Sequence, residues 1–146
     1  MNFIYRFLFP EKPMGKKFSL MLLSLRLLFG LLLMSHGIQK WAQFETLSTI
    51  FPDPLGIGSA FSLTLVIFAE LFCSIFFIVG FLYRLVMLPM IINMAVAFFV
   101  IHGGSISNGG ELAFIYLAMF IILYITGPGR FSFDKIISCA LTLNQR

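Results

Sequence analysis

The chain has 146 residues, of which 60% are hydrophobic and 11% charged, with a mean hydropathy of +1.00; a soluble globular domain carries about 25% charged residues. This excludes a soluble enzyme or carrier domain, and spans of about 20 residues each leave room for about four membrane helices and no large unit outside the bilayer. The net charge of +4 and pI near 9.3 come from basic residues placed where membrane topology needs them, so no nucleic-acid partner is expected.

Residues 1–17 mix Phe3, Tyr5, Phe7 and Phe9 with Arg6, Lys12, Lys16 and Lys17, and are broken by Pro10 and Pro13. This composition predicts a cytoplasmic, interfacial segment. The first span is read at 18–40, with Lys40 and Trp41 as the anchor at its far end. On a helix, Arg26, Gly30, Gly37 and Lys40 share one narrow face, and His36 flanks it. Two glycines on that face would let another helix backbone come close.

A connector rich in proline and glycine, from Gln43 to Gly58, separates this span from the second, read at 59–83 with Glu70 near its midpoint. The third span, 85–102, follows Arg84 closely, has Pro89 near its start and Asn93 near its middle, and ends on His102. The loop HGGSISNGG has no phosphate-loop lysine and reads as a tight turn. The fourth span, 111–126, opens on Glu111, where the helix dipole favours a carboxylate, and ends at Gly127-Pro128-Gly129-Arg130. Residues 129–146 read as a cytoplasmic tail containing Asp134. Lysine and arginine alternate between connectors so that both termini are expected on the cytoplasmic side. The fold expected is all-α: a four-transmembrane-helix bundle over residues 18–128.

A charged side chain deep in a bilayer costs roughly 2.5–3.5 kcal/mol and needs a partner. Depths counted at about 1.5 Å per residue put Arg26 and Glu70 within one helical turn of each other, which predicts an Arg26–Glu70 pair with Asn93 as a further partner. A second polar layer is expected from His36, Lys40, His102 and Glu111, and a third from Arg84, Arg130 and Asp134. The deep pair either fixes helix register or binds a quinone headgroup, an anion or a proton. No closely spaced ligand pair supports a metal site. Cys73 and Cys139 form no CxxC pair.

The run RLLFGLLLMSHGIQKW, the glutamate of FAELFCSIFFIVGFLYR, His102 with Glu111 across the short loop, and GPGRFSFD, in that order, resemble the DoxX family of small four-helix bacterial membrane proteins. Arg26, His36, Gly37, Lys40, Glu70, Gly80, Arg84, His102, Glu111, Gly127, Gly129, Arg130 and Asp134 match its pattern by position. The resemblance implies a multi-pass protein of the bacterial inner membrane, akin to the membrane subunits of thiosulfate:quinone oxidoreductase. With no intrinsic redox cofactor motif, that role would require quinone and a soluble or membrane redox partner subunit. The alternative is a non-enzymatic scaffold, or a module binding a lipid or small solute, either of them open to homo-oligomerisation.

Overall fold

The computed structural model describes residues 15–143; nearly all of the expected N-terminal interfacial segment lies outside them. The described residues form helices and no strand: α1 (Lys16–Ala42), α2 (Phe44–Ile50), α3 (Ser59–Val79), α4 (Tyr83–Ile101), α5 (Glu111–Thr126) and α6 (Phe133–Leu143). Four stretches, Lys16–Ala42, Ser59–Val79, Tyr83–Ile101 and Ile106–Thr126, are long and apolar enough to cross a membrane. The protein is a multi-pass four-helix membrane bundle.

Each span is apolar nearly all round, so helix packing here is set by small residues and shape rather than by one greasy stripe. α1 packs on α3, α3 on α4, and α4 on α5. Phe29 and His36 of α1 meet the ring of Tyr116 on α5 edge-on, at 5.8 and 6.4 Å, and close the bundle. The core is built from Phe77, stacked on Tyr83 at 5.5 Å and edge-on to Phe120 at 5.6 Å, together with Met87, Met90 and Met94, which follow one face of α4. Exposed leucines, isoleucines and phenylalanines on all four spans form the surface a bilayer would solvate.

The face predicted for α1 is its packing face: Ser19, Leu22, Arg26, Gly30, Leu33 and Gly37 are its buried residues. A Cβ on Gly37 would sit 2.7 Å from the Leu71 amide nitrogen of α3, and one on Gly30 would run into the Ile78 side chain. Only glycine permits this helix separation.

Two elements depart from the sequence reading. The 43–58 connector contains the short helix α2, and the tail folds as α6, whose polar Asp134 and Ser138 are buried against the bundle while Phe133 and Ile136 face outward. α6 is strongly amphipathic, with its polar side turned inward, as befits a helix lying at the membrane boundary.

Candidate functional site

The deep charges do not pair with each other. Gly37 lies against Glu70 and Leu71, and Gly30 against Phe77 and Ile78, so antiparallel α1 and α3 are aligned with Arg26 beyond the end of α3. Glu70 lies about 11 residues, or about 16 Å, further along the pair. The expected Arg26–Glu70 bridge is therefore absent. The physical reason is an offset between the helices: α1 starts well beyond the level at which α3 finishes, so equal counts from the two ends do not reach equal depths.

Arg26, 1% exposed, instead gathers the chain's loop ends. Nη1 donates to the carbonyls of Pro128 (2.7 Å) and Phe131 (2.9 Å), and Nη2 to that of Ile78 (2.8 Å). Its guanidinium also lies 5.9 Å from the centroid of the Tyr83 ring. Gly80, at φ +73°, ends α3 and leaves room for the guanidinium: a Cβ there would be 3.0 Å from Nη2 and 2.8 Å from Ser132 Cβ. Gly127 and Gly129, also at positive φ, shape the turn that presents the Pro128 and Phe131 carbonyls.

Asp134 acts as the cap of α4 from outside it. Its two carboxylate oxygens each accept a backbone N–H, from Leu82 and Tyr83, both at 2.9 Å. This holds Leu82 in its left-handed conformation at φ +47°. Burial pushes the Asp134 carboxyl above its ordinary pKa, against the two N–H groups and the Arg26 charge. The Arg84 guanidinium lies 5.8 Å from the Tyr124 ring centroid, and Arg130 is exposed.

Glu70 belongs to a second cluster. One carboxylate oxygen takes the Lys40 ammonium at 2.5 Å, and the other accepts from the Asn93 amide at 3.2 Å. Gly37 makes this possible, since the close approach of α1 to α3 brings Lys40, one turn later, within reach of Glu70. Lys40 thus leaves the outer layer expected of it. Of the other residues expected in that layer, His36 lies against Tyr116, His102 Nδ1 is 3.0 Å from the Asn108 carbonyl oxygen, and Glu111 is exposed.

Lys40, Glu70 and Asn93 line a cavity of about 390 Å³ whose other walls are nearly all apolar, among them Leu65, Phe68, Pro89 and Ile92. Both sides carry wide helical turns, Phe68–Phe72 in α3 and Val96–Ile101 in α4. Such turns recur at functional sites because they break the regular backbone pattern where a ligand or side chain must be accommodated. A third wall comes from Phe51, Pro52, Pro54, Leu55 and Ile57 of the connector.

Asp53 holds that wall in place. Its carboxylate accepts from the amides of Ile57 (3.0 Å) and Gly58 (2.7 Å) and from the Ser62 hydroxyl (2.8 Å). These bonds, led by Gly58, hold its pKa below the ordinary 3.8. A carboxyl depressed in the folded state contributes its stability above the unfolded pKa and loses it as pH falls through the folded one. The Ile57 and Gly58 amide resonances should therefore titrate together with a midpoint below 3.8, and Asp53→Asn should abolish that titration. Nothing in the sequence beyond a turn-forming residue marked Asp53, and nothing marked Phe68 or the wide turns.

Among the described residues, no group of three or more histidines, cysteines, aspartates and glutamates is placed to hold a metal ion. Over 139 aligned residues the chain is 28% identical to an uncharacterized membrane protein of Mycobacterium tuberculosis, Rv3486, with 80% of each chain covered. No solved structure matches it. Residues 21–103, which hold Arg26, Gly37, Lys40, Glu70, Asn93 and both wide turns, match the DoxX family. A match over more than half of the chain, carrying the cavity and its polar cluster, establishes that this four-helix membrane protein belongs to the DoxX family.

Proposed function

We propose that the protein binds a membrane-soluble quinone in the cavity between α3 and α4, as the membrane subunit of a quinone-linked oxidoreductase in a bacterial inner membrane. The observation that carries this reading is a charged pair and an amide at the wall of an otherwise apolar cavity. Apolar walls with a few placed polar groups suit a ligand with a greasy body and hydrogen-bonding carbonyls. The Lys40 ammonium and the Asn93 amide supply donors, and Glu70 orients both. A quinone reduced by two electrons takes up two protons, and Lys40 with Glu70 forms a proton-exchanging pair beside it. The electrons come from a partner subunit with its own redox centre. Both chain termini lie on the cytoplasmic side in this reading, following the basic residues Lys16, Lys17, Arg84 and Arg130.

Mass spectrometry of the gently extracted protein should show bound quinone, and titration with a short-chain quinone should saturate. Asn93→Leu, which leaves the ion pair in place, should weaken binding about fivefold, the worth of roughly one hydrogen bond. Absence of bound quinone together with no saturation would overturn the reading. A phospholipid found in the cavity instead would leave the non-enzymatic lipid-binding role.

A further inference from the structure

A second cavity, of about 710 Å³, lies at the end of the bundle where α1 gives way to α2. Its wall carries four aromatic rings, those of Trp41, Phe44, Phe68 and Phe72, with Glu45 and Thr64 beside them. Trp41 and Phe72 meet edge-on at 6.1 Å, and Phe68 stacks on Phe72 at 6.3 Å.

Two features make this cavity attractive to positive charge. Aromatic faces carry a negative quadrupole that holds ammonium groups. Glu45 is among the residues that line the cavity, and the ion pair found among the described residues joins Lys40 to Glu70, not to Glu45. The last turn of α1 ends there, at Ala42, directly beside the first turn of α2 at Phe44, so the opposite ends of the two helix dipoles offset each other at the cavity wall. The basic residue of that last turn, Lys40, is turned away into the first cavity and neutralised by Glu70. An acidic side chain, aromatic faces and an apolar approach along Ile67 and Phe72 together describe one class of ligand.

We propose that this cavity binds the ammonium head of an amphiphile, the apolar tail of which lies along α3. The head is held by Trp41, Phe68 and Phe72 and neutralised by Glu45. The source is either an aminophospholipid of the surrounding membrane or a free organic cation with an alkyl chain. The site is separate from the Lys40–Glu70–Asn93 cluster, and its proposed ligand does not depend on the quinone reading.

Trp41 is the protein's only tryptophan, so its emission reports on this cavity directly. In maltoside micelles, octyltrimethylammonium below its micelle-forming concentration should change Trp41 emission saturably, whereas octyl glucoside, uncharged with the same chain, should not. Glu45→Gln and Phe72→Leu should each weaken the response about fivefold or more. Both positions are exposed, and an unchanged melting temperature would confirm that each variant is folded. In phosphatidylglycerol nanodiscs, the same emission change on adding phosphatidylethanolamine identifies the membrane lipid as the ligand. A response to octyltrimethylammonium alone identifies a free cation. No saturable change, an equal response to octyl glucoside, or unaltered binding in both folded variants overturns the proposal.

Discussion

Arg26→Ala is expected to cost about 4 kcal/mol or more and to release the C-terminal segment from the bundle. Three carbonyls, those of Ile78, Pro128 and Phe131, lose their donor at once, and hydrogen bonds to a charged group contribute about 1.5–3 kcal/mol each. The loss is spread over the end of α3 and the turn leading to α6, so it removes a tie between elements that also meet through Ser132 and Asp134. Thermal melting in detergent should fall by roughly 10 °C or more, and trypsin should cut faster after Arg130 and Lys135. Arg26→Lys should recover only part of the loss, because an ammonium cannot reproduce the planar fork that reaches three acceptors. A melt for Arg26→Ala within about 2 °C of the wild type would show that the guanidinium is not what holds the tail.

The second large effect concerns the cavity pair. Glu70→Ala leaves the Lys40 ammonium in an apolar pocket, and Lys40→Met strands the carboxylate, which is only 7% exposed. Breaking a buried pair from one side costs about 3–5 kcal/mol. Because the Lys40 side chain is 26% exposed, solvent screening brings the expected cost below that range, to about 2–3 kcal/mol for each. Replacing both groups by apolar residues, in Lys40→Met with Glu70→Leu, should restore most of the stability, giving a coupling of about 2 kcal/mol in the double-mutant cycle. That folded double variant should nonetheless fail to bind quinone, which separates ligand recognition from folding. Additive single effects would show that the two groups do not act as a unit.

The four spans and the inward face of α1 were legible in the sequence because each rests on a local signal: length of apolar run, glycine spacing, charge between spans. Gly30 and Gly37 could be placed on a packing face by angle alone. The partner of Arg26 could not, since the vertical offset between α1 and α3 is set by where each glycine meets the other backbone, a tertiary quantity. A buried arginine also needs acceptors rather than an acid, and main-chain carbonyls at helix ends leave no mark in a sequence. Asn93 was expected near Glu70 and lies there; Lys40 was placed near the surface, and its long side chain reaches inward instead. α6 was hidden because a short amphipathic helix with aspartate and serine on one face resembles a solvated tail until the bundle covers its polar side.

Phe68 lines both cavities, and among the described residues it is the single side chain that does. If both proposed ligands bind, each meets the same ring, so a Phe68 rotamer set by one is the rotamer the other meets. The two binding equilibria are thereby linked, and linkage of this kind is reciprocal: the factor by which a cation alters quinone affinity is the factor by which quinone alters cation affinity. On the two proposals together, the composition of the surrounding bilayer would set the affinity of the Lys40–Glu70–Asn93 cavity for its ligand.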